Sequence, residues 1–210
     1  MTQLVDLSVS DLLRAISAPT PTPGGGSASA LAGAVGAALL AMVAGMTKTR
    51  GGAAPDRAAL DRALPGLLDG RDHLAGLVDR DSAAYDAVTA AYKLSKSTDE
   101  ETRVRRVAIQ EALHGATEVP LDVMRATHAA AREAAQVAAH GNPSASSDVT
   151  VSLELLDAAF RGAAANVRIN VASLKDAGYV DGVRGEVERL EASMAEALTL
   201  ARAALAGSSG

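Results

Sequence analysis

The sequence predicts an all-α protein, a single-domain bundle of about six long and partly kinked helices over residues 1–206. Strong helix formers, chiefly Ala, Leu, Glu and Arg, are abundant. The alternation of polar and apolar residues that marks a strand is hard to find. Clusters of proline and glycine divide the chain into a few long segments, and residues 207–210 are expected to form a frayed tail.

The first two helices are defined by the prolines and glycines between them. The first is predicted over residues 8–17, before Pro19, because a residue that precedes proline avoids the helical conformation. The second follows three glycines, with Ser27 or Ser29 as its N-cap, and continues to about Lys48.

The later helices are longer. Pro65 and Pro120 are expected to kink or break the third and fourth of them, and Asp148 is expected to cap the fifth. Gly178 and Gly182 are expected to lie in the connection before the last helix. The predicted ranges are about 55–94, 97–140, 149–174 and 183–206.

Composition excludes several classes of function. The net charge is −5 and no basic block occurs, which argues against a nucleic-acid surface. Only three tyrosines and one phenylalanine are present, too few for a base-stacking platform. The chain has no cysteine, which excludes thiolate metal sites and fits a cytoplasmic protein, and its four histidines form no metal-ligand spacing, so no metal is expected.

Residues 28–46 carry no charge and are long enough to cross a bilayer. They consist mostly of Ala and Gly, however, and no aromatic belt flanks them. We therefore expect the central helix of a soluble bundle and no membrane span. Gly33, Gly36 and Ala37 would let another helix approach closely, either in this chain or in a partner subunit.

Three stretches are candidates for chemistry. In the first, Pro23 precedes Gly24, Gly25 and Gly26, whose backbone N–H groups stand ahead of a helix N-terminus. Such a loop can hold an anion, although a simple turn with a cap explains the same residues.

The second stretch places five side chains in one narrow stripe of a helix, at 100° per residue. Asp81 and Lys96 lie at its ends, and Tyr85, Val88 and Tyr92 lie between them. The stripe is either an aromatic-walled slot with an acid and a base, or a piece of core with solvated ends.

In the third stretch, Asn166 and Asn170 are i,i+4 neighbours on an otherwise apolar helix. A buried amide without a partner costs about 1–3 kcal/mol, so each amide should be hydrogen-bonded. The partner is either another helix or a planar heterocycle.

These stretches resemble the cyclodeaminase/cyclohydrolase family, which also forms the C-terminal part of formiminotransferase-cyclodeaminase. The resemblance follows nearly the whole chain in order, and the one visible departure is Ser95, where the family pattern has proline. The segments that carry it are PTPGGGSASALAGAVGAALLAMV (21–43), DSAAYDAVTAAYKLSKST (81–98), AIQEALHGATEVPLDV (108–123) and GNPSASSDVTVSLELLDAAFRGAAANVRINVASLKD (141–176).

The resemblance implies an all-helical fold, a homodimer and tetrahydrofolate chemistry. Two activities are implied: 5,10-methenyltetrahydrofolate cyclohydrolase, and formimidoyltetrahydrofolate cyclodeaminase, which releases ammonia. Because the chain carries no formiminotransferase domain, the cyclohydrolase is the preferred hypothesis. A non-catalytic helical dimer that binds folates or a protein is the remaining alternative.

The folate chemistry suggests roles for the candidate residues. Asp81 and Asp148 are the candidate carboxylates for a cationic ring, and Lys96 is the candidate proton donor. Lys48 and Arg50 are candidates for the glutamate tail. No metal or redox cofactor is expected, because addition of water transfers no electron. The expected substrate-binding residues are Pro23, Gly24, Gly25, Gly26, Ser27, Ser29, Tyr85, Tyr92, Asn142, Asn166 and Asn170.

Overall fold

A computed structural model of the chain describes residues 3–207, so most of the predicted tail, residues 208–210, lies outside the described part. Residues 3–207 form six α-helices and two 3-10 helices, Leu4–Asp6 and Pro143–Ala145, with no strand among them. The all-α prediction is therefore confirmed. The helices are α1 (Val9–Ile16), α2 (Gly25–Gly45), α3 (Ala54–Lys93), α4 (Asp99–His140), α5 (Ser146–Val171) and α6 (Ala177–Ala206).

Helix α2 is the central helix, and it packs against α3, α4 and α5. Its small residues allow the close approach that the sequence predicts. A Cβ atom added at Gly33 would lie 2.8 Å from Cγ2 of Thr127 in α4, and one at Gly36 would lie 2.9 Å from Cγ of Leu156 in α5. Larger residues at these positions would force the helices apart.

Among residues 3–207, α2 is the one helix that is long and apolar enough to cross a membrane. Its most apolar window is nevertheless 56% buried inside the bundle, and the core helix of a soluble protein meets the same criteria of length and composition. Helix α2 thus occupies the central position predicted for it.

The ends of α2 differ from the prediction. Gly24 is the N-cap residue and supplies no side chain, so neither Ser27 nor Ser29 caps the helix. The helix ends at Gly45, because Met46 has an extended backbone conformation, and the Arg57 guanidinium of α3 donates to the carbonyl oxygens of Ala44 and Met46 at 2.6 and 2.9 Å. Lys48 and Arg50 consequently lie in the connection to α3 and not in the last turn of α2.

Helices α3 and α4 continue through Pro65 and Pro120 as single helices, so the break considered at Pro65 is absent, and the kinks expected at the two prolines stay a prediction. Two further boundaries correct the sequence prediction. Helix α5 begins at Ser146, so Asp148 lies in its first turn and is not its cap. Helix α6 begins at Ala177 because the Asp176 side chain accepts from the Tyr179 N–H, which places Gly178 and Gly182 inside the helix.

Candidate active site

A cavity of about 250 Å³ opens beside the N-terminus of α2. Four helices and the loop before α2 enclose it, which brings together segments far apart in the sequence. The lining residues are Pro21, Thr22, Gly24, Gly25, Gly26, Asp81, Ala84, Tyr85, Val88, Leu113, Ala116, Asn166 and Asn170.

Asp81 of α3 stands against the first turn of α2. Its Oδ1 atom occupies the space that a Cβ atom at Gly26 would need, so a larger residue at that position would displace this carboxylate. Its Oδ2 atom lies 3.0 Å from the Ser27 hydroxyl, and the Ser27 backbone N–H donates to the same carboxylate. Asp81 therefore supplies, from a neighbouring helix, the cap that Gly24 lacks.

Burial raises the pKa of the Asp81 carboxyl, and the hydrogen bonds from the Ser27 hydroxyl and backbone N–H partly oppose that rise. The Ser27 hydroxyl also lies 2.9 Å from the Val78 carbonyl oxygen and 3.1 Å from the Ser82 hydroxyl. One hydroxyl proton serves these acceptors in turn, so the hydrogen bond from this hydroxyl to Asp81 is shared. No salt bridge reaches Asp81 from any described residue.

The two asparagines of α5 contribute amide groups from the facing wall. Asn166 Nδ2 donates to the Gly162 carbonyl at 2.9 Å, and Asn170 Nδ2 donates to the Ala116 carbonyl of α4 at 2.7 Å. Because a carbonyl can only accept, the atom facing it must be the NH₂ group. Within residues 3–207, no donor meets either amide oxygen, so both oxygens can accept from a ligand.

The remaining wall is apolar. Ala84, Tyr85 and Val88 lie on adjacent turns of α3, and Leu113 and Ala116 face them from α4. Tyr85 is half exposed at 45%, which places its ring at the mouth of the cavity. The site thus combines one apolar side with one polar side.

The structure brings together seven of the predicted site residues from three separate stretches of sequence. Ser27 and Ser29 stand behind the cavity, where the Ser29 hydroxyl donates to the Gly25 carbonyl at 2.8 Å, and Pro23 lies in the loop after a cis peptide bond. The seven that line the cavity are Gly24, Gly25, Gly26, Asp81, Tyr85, Asn166 and Asn170.

Lys96 and Tyr92 lie outside this cavity. Helix α3 ends at Lys93, about 18 Å along the axis from Asp81, so the predicted stripe does not reach Lys96. Lys96 is exposed and lacks the dry surroundings that its predicted role requires. Tyr92 instead lies beneath the Arg105 guanidinium, 5.6 Å from the ring centroid, and its carbonyl accepts from the same arginine.

Asp148 and Asn142 lie at the other end of the bundle. Asp148 is 22 residues before Asn170 on the same helix, a separation of about 33 Å. Asn142 caps the short 3-10 helix before α5. Lys48 and Arg50 share this end, where the Arg50 side chain donates to the Ala138 carbonyl, so one chain alone does not place these four residues at the cavity.

Sequence reasoning missed Leu113, Ala116 and Gly162. Leu113 and Ala116 look like ordinary core residues, and only the folded chain shows that they face Val88 and Asn170. Gly162 is required because a Cβ atom there would clash with the Ser29 hydroxyl. The sequence did contain one signal for this position, because Gly162 interrupts a run of strong helix formers.

The electrostatics of the cavity favour a cation. Of the described residues that line it, Asp81 is the one with a charged side chain. Among residues 3–207, no group of three His, Asp or Glu side chains could hold a metal ion, and the expectation of a metal-free site stays a prediction.

An all-helical bundle whose cavity presents a half-buried carboxylate without a cationic partner has the features of a small-molecule enzyme. The chain belongs to the formiminotransferase-cyclodeaminase family, whose model matches residues 8–189. The family predicted from the sequence is therefore confirmed.

Individual relatives agree with this assignment. The chain is 37% identical to a methenyltetrahydrofolate cyclohydrolase of Methylorubrum extorquens over 90% of each chain. It is 35% identical to the formimidoyltransferase-cyclodeaminase of Gallus gallus over 94% of its own length, but spans only 37% of that protein. A crystal structure of formiminotetrahydrofolate cyclodeaminase from Thermotoga maritima superposes on this chain with a TM-score of 0.86. The two sequences are 29% identical, and the superposition covers 98% of each chain.

Proposed function

We propose that this protein hydrolyses 5,10-methenyltetrahydrofolate to 10-formyltetrahydrofolate. One observation carries the proposal: the charge that the cavity presents is a single half-buried carboxylate, and the substrate is a flat ring with a delocalised positive charge. A low-dielectric cavity strengthens the attraction between the two. The similarity to a methenyltetrahydrofolate cyclohydrolase along most of both chains supports the same reaction.

The carboxylate of Asp81 has two tasks in this reaction. It stabilises the amidinium between the two folate nitrogens, and it accepts a proton as water adds to the bridging carbon. Addition gives a neutral carbinolamine. Cleavage of the bond to N5 then leaves the formyl group on N10, N5 takes up a proton from Asp81, and the hydroxyl proton departs to solvent, so one proton is released for each turnover.

The raised pKa of Asp81 suits a group that first accepts a proton and then donates it. The free amide oxygens of Asn166 and Asn170 would accept from the pterin N–H groups, and Tyr85 would cover one face of the ring. The glycine loop lets the ring approach the backbone at the α2 N-terminus.

The cyclodeaminase reaction is the second candidate. The observation that favours it is the fold agreement with the Thermotoga maritima cyclodeaminase over 98% of both chains. It passes through a related ring-closed species and releases ammonia, so the same carboxylate and amides would serve it.

We further propose that the reaction requires no metal or redox cofactor, since hydrolysis transfers no electron, and that the protein is a cytoplasmic homodimer. The absence of cysteine fits a reducing compartment. The uncharged outer face of α2 supports the dimer, because α2 contains no charged residue over its 21 positions.

The decisive assay follows the absorbance of methenyltetrahydrofolate with purified protein, with buffer alone as the reference. A rate above the reference supports the cyclohydrolase, and a rate equal to it contradicts the proposal. In parallel, ammonia release from formimidoyltetrahydrofolate identifies the cyclodeaminase. Pretreatment with a chelator should leave the rate unchanged.

A further inference from the structure

The cavity beside α2 offers charge of one sign only. Of the described residues that line it, Asp81 is the one with a charged side chain. The proposed substrate carries charge of both signs, because its cationic ring is joined through an aminobenzoyl group to a glutamyl group with two carboxylates. A carboxylate placed beside Asp81 would be repelled, so the glutamyl group is expected to lie outside the cavity. A cation that binds this group is therefore expected beyond the cavity mouth.

Aromatic side chains continue the cavity along α3. Tyr85 stands at the mouth, and Val88 lines the cavity about one turn farther along the helix. Tyr92 follows Val88 by four residues, about 6 Å along the helix axis, on the same side of α3. Tyr92 is 49% exposed. The two tyrosines thus lie one after the other on a path from the cavity toward the end of α3.

Arg105 of α4 stands at the end of this path. Its Cζ atom lies 5.6 Å from the centroid of the Tyr92 ring. Its Nε and Nη2 atoms donate to the Tyr92 carbonyl at 3.2 and 2.9 Å, and this carbonyl belongs to the last turn of α3. The two hydrogen bonds fix the plane of the guanidinium, while Nη1 meets no acceptor among residues 3–207. A carboxylate would find a positioned donor there.

The charges around Arg105 favour an anion. Residues 93–106 contain five Lys or Arg and three Asp or Glu, a net charge of +2, whereas the whole chain has −5. Two of the three acids are already engaged, because Glu100 pairs with Arg103 and Glu101 accepts from two backbone N–H groups at the start of α4. Within the described part of the chain, no carboxylate pairs with Arg105.

The dimensions of the path suit the substrate. Tyr92 follows Asp81 by 11 residues, about 16 Å along α3, and helical side chains lean toward the N-terminus, which brings the Tyr92 ring back toward the cavity. In an extended folate, standard bond lengths place the two glutamyl carboxylates on the order of 9 and 12 Å from N10. A ring held beside Asp81 therefore brings these carboxylates toward the Arg105 guanidinium.

We propose that Arg105 binds a carboxylate of the glutamyl group, with the aminobenzoyl ring lying against Tyr85 and Tyr92. This inference rests on the proposed function for the identity of the ligand. It gives Tyr92 a place in substrate binding outside the cavity. It also replaces Lys48 and Arg50, which lie at the other end of the bundle, as the ligands of the glutamyl group.

Two matched ligands test the assignment in a single variant. One is 5,10-methenyltetrahydrofolate, and the other is its amide, in which NH₂ replaces the glutamyl group and no carboxylate remains. Arg105→Gln should raise KM for the first about tenfold, the effect of one charge-assisted hydrogen bond, and KM for the amide by less than twofold. The value of kcat should stay within twofold for both, because Arg105 does not touch the reacting atoms.

The comparison separates binding from a structural role. Arg105→Gln also removes a cap of α3, and damage of that kind would raise both KM values alike. Arg105→Lys keeps the charge but loses the planar fork, so its KM for the glutamyl ligand should lie between wild type and Arg105→Gln. Circular dichroism of each variant verifies that the helices are retained.

Arg106→Gln is the matched control, because it removes the same charge from the adjacent exposed position. It should leave both KM values within twofold of wild type. An equal effect of Arg106→Gln, or an equal rise of both KM values in Arg105→Gln, overturns the proposal. A selective loss in Lys48→Gln that Arg105→Gln does not show also overturns it.

Calorimetry with 5-formyltetrahydrofolate and its amide measures the same preference without turnover. Wild type should bind the glutamyl form about tenfold more tightly, and Arg105→Gln should bind the two forms alike. If this preference is found in a protein without cyclohydrolase activity, the proposed function fails while the Arg105 site stands. If the protein hydrolyses the methenyl substrate but Arg105→Gln keeps the preference, the Arg105 site fails while the proposed function stands.

Discussion

Two half-buried carboxylates on different helices, Asp81 and Glu186, show how the surroundings of a carboxylate determine its role. Glu186 of α6 is bound by the Arg125 guanidinium through two hydrogen bonds of 2.7 and 2.8 Å, and this arginine lowers the pKa of Glu186. Asp81 has no cationic partner among the described residues, and burial raises its pKa. The paired carboxylate fastens α4 to α6, and the unpaired one remains available to a cationic ligand.

The contrast predicts opposite consequences for two amide substitutions. Asp81→Asn should lower the hydrolysis rate by at least about 100-fold, because it removes a proton acceptor and the negative charge. Its stability at neutral pH should not fall, since asparagine still accepts from the Ser27 N–H and no buried charge remains. Initial rates and thermal melting of the same samples measure both effects.

Glu186→Gln is the matched variant and should leave the rate within twofold of wild type. It should lower the free energy of unfolding by only about 1 kcal/mol at neutral pH, because solvent screens the partly exposed pair of Glu186 and Arg125. The pKa of Glu186 is lowered by folding, so its contribution to stability is present above the pKa of the unfolded chain and disappears as pH falls through the folded value. The contrast would be refuted if Glu186→Gln lost activity while Asp81→Asn lost only stability.

Glycine substitutions sharpen the position of Asp81. Gly26→Ala should displace the Asp81 carboxylate, because the new Cβ atom would overlap Oδ1. We expect a loss of activity approaching that of Asp81→Asn, together with a lower melting temperature.

The control for this substitution is Gly66→Ala, at an exposed position within α3 where no atom lies within 4 Å of the added Cβ. It should raise stability by about 0.5–1 kcal/mol and leave the rate unchanged. Full activity in Gly26→Ala would show that Asp81 does not need its observed position.

Asn170→Ala addresses the polar wall. It removes one amide that the ligand can use, and we expect KM to rise about tenfold with a smaller change in kcat, which corresponds to one lost hydrogen bond of about 1.4 kcal/mol. An unchanged KM would indicate that Asn170 only holds Ala116 of α4. Steady-state kinetics with the methenyl substrate separates these outcomes.

Ser27→Ala gives the smallest expected effect, a shift of the acid limb of the pH–rate profile. The Ser27 hydroxyl lowers the pKa of Asp81, so its removal should raise that pKa further. Asp81 must be ionised to accept a proton, and the acid limb should therefore move to higher pH. A shift to lower pH would contradict the assignment of Asp81 as the titrating group.

The sequence predicted much of this site because helical periodicity places neighbours correctly over short distances. Asp81, Tyr85 and Val88 share a face as expected, and so do Asn166 and Asn170. The same periodicity failed for Lys96, because α3 ends at Lys93 and no proline or glycine announces that end. Contacts between distant segments, such as Asp81 with Gly26, depend on how α2 and α3 pack and carry no local signal.

The most direct test of the central claim is a carbon-13 NMR titration of the Asp81 carboxyl, assigned by comparison with Asp81→Asn. Because hydrolysis of the folate cation releases a proton, acid shifts the equilibrium toward the ring-closed cation. The methenyl cation can therefore serve as the ligand over the acidic pH range in which the carboxyl titrates. We predict a midpoint above the ordinary value of 3.8 in the free protein, which falls when the methenyl cation binds. A midpoint at or below 3.8, or one that the cation leaves unchanged, would contradict the account.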